Sequence, residues 1–202
     1  MRKTAIKELT IMAIFVALTA VMAQISIPLP FTPVPISFGL VAVYMCGILL
    51  TPKQAILTQI CYLLIGAVGL PVFSGFRGGV AVLFGATGGY LMVYPIMAAI
   101  VALTLNSSKG IAAEQVQSKW IIFLKSSIAI CIAHILLYLG GTIWLCAITK
   151  NSFLAGLALA VFPYIPLDIV KIVFCVAAVV PLRLRLRKMN LLMLDKPQSA
   201  VV

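Results

Sequence analysis

Two charged residues three positions apart, Asp168 and Lys171, stand in a stretch that is otherwise apolar from Tyr164 to Pro181. Their i, i+3 spacing puts both on one face of a helix. An isolated ion in hydrocarbon is costly, so such residues face a cavity and pair with each other or with a ligand. The carboxylate can accept from N–H groups and the ammonium can donate to a carbonyl. The bland alternative is an ion pair that only fixes helix packing.

Arg77 is the second candidate. Gly75, Gly78 and Gly79 surround it, and glycines let backbone approach a ligand closely. A guanidinium there can hold a carboxylate through two parallel hydrogen bonds or contact a lipid headgroup. Third comes Gly85-Ala86-Thr87-Gly88-Gly89-Tyr90, at the start of an apolar helix. The free N–H groups of a helix N-terminus suit an anion or carbonyl. Thr87 can cap, Tyr90 can donate a hydrogen bond, and Gly88 leaves backbone accessible. Close helix packing explains these glycines equally well.

The elements that position these groups are set by composition. Of 202 residues, 63% are hydrophobic and 9% charged, against roughly a quarter charged in soluble domains. Lipid is the solvent that tolerates such a chain. Six segments approach the roughly 20 apolar residues a bilayer requires: residues 7–24, 36–52, 54–70, 88–105, 120–148 and 164–185. The fold class expected is an all-α integral membrane protein of six transmembrane helices, forming a single membrane domain over residues 1–202. Arg2, Lys3 and Val21-Met22-Ala23 give the first segment some signal-peptide character, but the charge distribution works with that segment retained.

The net charge of +11 sits between and beyond the apolar runs, which argues for topology and lipid contact rather than nucleic acid. With six spans, Arg2, Lys3, Lys7, Lys53, Lys109, Lys119, Arg183, Arg185, Arg187 and Lys188 share one side. Only Arg77 and Lys150 fall on the other. Positive-inside bias then puts both termini in the cytoplasm, with the three arginines anchoring the last helix among headgroups. Asp168 lies about one turn below the outer surface, and Lys171 about one turn deeper. The polar link between Asn106 and Lys119 divides the helices three plus three. The outer loops are apolar and rich in Pro and Gly. Pro28, Pro30, Pro33 and Pro35 deny a helix and favour an extended strand, and Ser152 to Phe162 is a candidate short helix.

Ala13 and Ala17 form a small-xxx-small pattern suited to close helix contact, within the chain or with a partner. The five cysteines lie in apolar runs without CxxC spacing and read as small buried hydrophobes. His134 has no nearby Cys or carboxylate in sequence and reads as a packed histidine. No GxxxxGK[ST], HExxH or GxSxG occurs, so the chain carries no phosphate loop and neither of these two hydrolase signatures.

In order along the chain, Pro28-Leu29-Pro30-Phe31-Thr32-Pro33-Val34-Pro35-Ile36-Ser37, Gly69-Leu70-Pro71-Val72-Phe73-Ser74 with Arg77-Gly78-Gly79, Gly85-x-Thr87-Gly88-Gly89-Tyr90, and Pro166-x-Asp168-x-x-Lys171 resemble the BioY family. These are biotin-specific substrate-binding (S) components of energy-coupling factor (ECF) transporters. The resemblance covers nearly the whole chain. It implies the six-helix S-component fold in the bacterial plasma membrane, a biotin pocket near the outer surface, and no cofactor. The implied partners are a transmembrane coupling subunit, met through Ala13 and Ala17, and two cytoplasmic ATPases. Some members of the family work without that module. Ala86 stands where the family usually has Pro, and Val93 and Leu167 where Gly is common. Biotin offers a ureido ring with two N–H donors and one carbonyl, an apolar thiophane ring and an acid tail. In the resulting reading Asp168 accepts from the ureido N–H groups and Lys171 serves the carbonyl. Phe31, Phe73 and Tyr90 pack on the rings, and Arg77 takes the carboxylate. Rival readings are a stand-alone proton-coupled transporter using Asp168 and His134, an intramembrane enzyme with Asp168 and Lys171 as acid and base, and a structural subunit.

Overall fold

Thr51-Pro52 is the sharpest local instruction in the first half of the chain. The Thr51 side chain accepts from Gln54 N, the Gln54 side chain accepts from Thr51 N, and Pro52 takes the first helical position. This reciprocal capping satisfies two backbone donors and starts a helix there, so the preceding helix must end before it. The computed structural model describes residues 2–106 and 119–189. Its elements are α1 (Arg2–Gln24), β1 (Ser26–Ile27), β2 (Ile36–Ser37), α2 (Gly39–Leu49), α3 (Pro52–Ala67), α4 (Val80–Leu83), α5 (Gly88–Asn106), α6 (Lys119–Thr149), α7 (Phe153–Ala160) and α8 (Ile165–Lys188). The residues of the polar link expected between Asn106 and Lys119 lie outside the described residues.

Among the described residues four helices are long and apolar enough to cross a membrane: α1 over Ile6–Gln24, α5, α6 and α8. The second expected span, 36–52, is corrected. Ile36–Ser37 instead pairs antiparallel with Ser26–Ile27, and α2 keeps only 11 residues, about 16 Å of rise. The prolines of the first outer loop therefore sit in the turn of a short hairpin rather than in a continuous strand. The third expected span, 54–70, is α3 over 16 residues. It stops at Ala67 because Gly69 turns the chain with a φ of 112°. α2 tolerates its shortness by being enclosed. Val41, Ala42, Val43, Tyr44, Cys46 and Ile48 are all essentially inaccessible, and α1, α3, α5 and α8 pack around it. A helix surrounded by protein need not match the bilayer.

Glycines set the closest approach, between α5 and α6. A methyl at Gly89 would meet Trp144 Cβ at 2.2 Å, and one at Gly141 would meet the Tyr90 ring at 2.2 Å. Each helix thus inserts an aromatic where the other has no side chain. Cys46 and Cys175 are buried as expected, but Cys61 and Cys131 face outward, where their apolar thiols suit a lipid surroundings. α7 begins at the expected Ser152, whose hydroxyl accepts from Ala155 N.

Arg183 corrects the expectation of a headgroup anchor. It is wholly buried. Its guanidinium donates to Ile48 O at the end of α2, to Leu105 O at 3.3 Å and to Asn106 Oδ1 at 2.8 Å at the end of α5. Asn106 Nδ2 in turn donates to Leu50 O at 2.9 Å. Carbonyls at helix C-termini lack intrahelical donors and carry the negative end of the macrodipole. One cation there joins three helices. Replacing Arg183 with Leu should lower stability by about 2–3 kcal/mol, the value of charge-assisted bonds lost with their acceptors left buried. Exposed Arg185→Leu should stay within about 0.5 kcal/mol. Thermal unfolding of both variants in one detergent checks this.

Candidate functional site

The charged pair does not stand alone. Asp168 is 4% exposed and Lys171 5%, and Lys171 Nζ donates to Asp168 Oδ1 at 3.0 Å. Asp168 Oδ2 accepts from Tyr138 Oη at 2.6 Å and lies 3.0 Å from His134 Nε2. The other ring nitrogen of His134, Nδ1, lies 2.6 Å from the buried Tyr44 hydroxyl. The carboxylate is thereby held from α6 and α8, with α2 one bond further back. An ionised carboxylate with donors on both oxygens is the arrangement a low-dielectric interior requires. Lys171 also lies 5.8 Å from the centre of the Phe38 ring, within cation–π range.

Local sequence explains the placement. Tyr164 precedes α8, and its main-chain oxygen accepts from Asp168 N at 2.8 Å, so Asp168 closes the first turn. The Tyr164 hydroxyl donates to Val34 O and ties the first outer loop to the start of α8. On α6, His134 and Tyr138 are one turn apart and share a face, with their rings edge to face at 4.4 Å.

A second set of candidates meets in a cavity beneath the first outer loop. Val34, Pro35, Ser37, Phe73, Ser74, Arg77, Val82, Thr87, Tyr90, Leu91 and Tyr94 line about 370 Å³, counting its open mouth. Arg77 is exposed. It is set in a tight reversal where Phe73 N donates to Arg77 O at 2.9 Å and Arg77 N to Phe73 O at 3.2 Å. Its side chain donates from Nε to Ser74 O at 3.1 Å. The reversal needs φ of 74° at Gly75 and 55° at Phe76. Gln24 fastens it to α1 by accepting from Phe76 N at 2.8 Å. Tyr90 donates to or accepts from Thr142 Oγ1 at 3.2 Å.

The structure therefore brings Arg77, Thr87, Tyr90 and Phe73 together in one wall, while Asp168 and Lys171 do not line that cavity. Tyr94 connects the two regions: it lines the cavity and lies within electrostatic reach of Asp168. Two expected roles change. Phe31 is 54% exposed and is not among the cavity's lining residues, because the hairpin turn carries it to the surface. Phe73 is 1% exposed, its ring edge-on to Tyr62 at 5.6 Å and filling the space left by Gly66. It borders the cavity as a packed, fixed part of the wall. Gly88 is packed against the α4 turn, where a methyl would meet Leu83 O at 1.7 Å. Ala13 and Ala17 are exposed on α1, which packs on α2 and α3 through other faces.

Tyr44 and Tyr138 are the residues sequence reasoning missed, and His134 was joined to Asp168 only in the proton-coupled alternative. The i, i+4 spacing of His134 and Tyr138 was a usable sign of a polar stripe on α6. Nothing in the sequence links either to Asp168, 30 or more positions away.

These features define a polytopic membrane protein with a buried ionic cluster and a cavity under its loops. The BioY family profile matches residues 1–188, and the chain belongs to that family. It is 36% identical over 165 residues to a probable biotin transporter BioY of Pyrococcus horikoshii, covering 82% of this chain and 89% of the relative. It is 33% identical over 179 residues to the biotin transporter BioY of Thermotoga maritima, covering 89% and 96%. Among solved structures, the S-component for biotin from an ECF-type ABC transporter superposes with a TM-score of 0.80 at 26% identity, over 91% of this chain and 94% of that one. The chain is a multi-pass membrane protein with the S-component fold.

The cavity wall can be tested through glycine. Gly141→Ala forces the Tyr90 ring to move and should cost roughly 1–3 kcal/mol. Gly140→Ala, whose methyl would meet a single Val93 methyl at 2.9 Å, should cost less. Parallel thermal melts in detergent measure the difference.

Proposed function

We propose that this chain captures biotin at the outer face of the plasma membrane and acts as the substrate-specific subunit of an ECF-type transporter. The observation that carries the reading is the buried Asp168–Lys171 pair, in a chain of the BioY family whose fold matches an S-component for biotin. A carboxylate and an ammonium side by side complement a ureido ring, which offers two donors and one acceptor without net charge. In this reading Asp168 accepts from the ring, Lys171 donates to its carbonyl, and Tyr90, Thr87 and Gly88 border the thiophane and tail. Phe73 is a packed part of that wall. Arg77, exposed at the mouth, receives the carboxylate. Phe31 reaches the ligand only if the first loop moves inward.

The same proposal makes residues 1–202 one membrane domain with six membrane-crossing helices and both termini cytoplasmic. α2 and α3 complete the crossing with their flanking loops. Ala13 and Ala17 meet the transmembrane coupling subunit, which brings two ATPases. Their exposure on α1 supports that role, since small residues let a partner helix approach closely.

One observation favours a second reading. The His134–Asp168 contact is what a stand-alone proton-coupled transporter needs. Uptake by the purified chain in vesicles, driven by a proton gradient and indifferent to ATP, would favour it.

Equilibrium binding of biotin to the purified chain, with dethiobiotin and lipoate as competitors, tests the main reading. Asp168→Asn should weaken binding roughly 10- to 100-fold, the value of hydrogen bonds to a charged group. Arg77→Ala should weaken biotin about tenfold yet leave the amide of biotin, which lacks the carboxylate, nearly unaffected. Absence of biotin binding in a folded sample refutes the proposal.

A further inference from the structure

We infer that His134 is a neutral imidazole carrying its proton on Nε2, locked there by Tyr44, and that it serves as a positioning residue for Asp168 rather than as a proton carrier. The inference deepens the biotin reading and rests on it for the role, though not for the tautomer. Tyr44 is fully buried, and among the described residues its hydroxyl has one hydrogen-bond partner, His134 Nδ1 at 2.6 Å. A hydroxyl has a single proton to donate. If Nδ1 carried a proton it would donate to the Tyr44 oxygen, and the Tyr44 proton would be left buried without an acceptor. If Nδ1 accepts, both groups are satisfied.

The other ring nitrogen gives the same answer independently. Nε2 lies 3.0 Å from Asp168 Oδ2. A proton on Nε2 makes a charge-assisted hydrogen bond there, whereas a lone pair on Nε2 would face an anionic oxygen. The doubly protonated ring satisfies Asp168 but orphans the Tyr44 proton. One tautomer of the neutral ring satisfies every group.

The titratable groups that touch this ring are Tyr44 on α2, Tyr138 on α6 and Asp168 on α8, with Lys171 on the far oxygen of Asp168; Tyr94 on α5 and Cys175 on α8 lie near Tyr44. Asp168 and Lys171 cancel, so a neutral His134 leaves the cluster without net charge. Oδ2 then takes two protein donors and Oδ1 takes Lys171. A carboxylate has about four acceptor positions, so one stays open for a ligand N–H, and the fixed imidazole sets its direction.

His134 is the chain's only histidine, so nitrogen NMR of histidine-labelled protein in detergent reports this ring alone. Ligand-free protein should show one protonated, pyrrole-type nitrogen, assigned to Nε2 through its couplings to ring protons, and one bare nitrogen at Nδ1. A protonated Nδ1, or an imidazolium at neutral pH, overturns the inference.

The positioning role has its own readouts. His134→Gln keeps an N–H donor at the reach of Nε2 and should retain most biotin affinity. His134→Leu should lose about tenfold, the scale of one hydrogen bond to a charged group. Equal losses in both overturn the donor role. Tyr44→Phe removes the donor to Nδ1, so its spectrum should show a rise in the ring form protonated at Nδ1, together with weaker biotin binding. A Tyr44→Phe spectrum identical to that of wild type overturns the lock. Wild type that binds no biotin overturns the ligand reading and the positioning role together, while the tautomer still stands or falls on the spectrum.

Discussion

The Asp168 carboxylate is the constraint around which α2, α6 and α8 are arranged. It is an anion inside an apolar helix, and it is stable there because donors reach both of its oxygens. Satisfying it fixes the rotation of α6, which must present His134 and Tyr138 on one face, and of α8, which must present Lys171. It also fixes α2, whose Tyr44 completes the network through His134. Such polar networks leave few alternative packings, since each slip of a helix strands a buried charge.

α8 carries a second anchor of opposite sign. Fifteen residues beyond Asp168, about 22 Å along the helix, Arg183 binds the carboxyl-terminal ends of α2 and α5. α2 is thus engaged from α8 at two levels, at its middle by the Asp168 network through Tyr44 and at its C-terminal end by Arg183 through Ile48. This makes sense of a helix too short to cross a bilayer by itself. Lipid provides no driving force for helix association beyond packing and hydrogen bonding, so a central helix needs polar attachments and tight apolar contact. Gly47 lets Val101 of α5 supply that contact, with a hypothetical methyl at 2.6 Å from its Cβ.

Much of this was legible in the sequence, and the failures share a cause. Hydropathy and charge marked the long helices, because a bilayer demands a continuous apolar run. Thr51-Pro52 is a local signal, and its meaning is visible without tertiary information. The Asp168–Lys171 pair was visible because both partners lie on one helix. Arg183 was misread because nothing local separates it from Arg185 and Arg187; only the arrival of α2 and α5 ends beside it does. His134 was misread as packing for the same reason, as its carboxylate comes from another helix. The exposure of Phe31 was not legible because a proline-rich loop does not reveal which way its turn points.

The division between a buried, charge-balanced cluster and an exposed Arg77 fits a ligand with two unlike ends. A neutral polar ring can displace no net charge, so it enters beside Asp168 and Lys171 without stranding either ion. An acid group brought to the same depth would have to lose its hydration against a carboxylate already in place, which is unfavourable at any protonation state of Lys171. In the proposed reading the acid end belongs at the mouth, where Arg77 is exposed and a carboxylate would keep part of its hydration. The reversal over Phe73–Arg77, fastened to the end of α1 by Gln24, holds the guanidinium at that mouth and makes the position of α1 part of the geometry of the site.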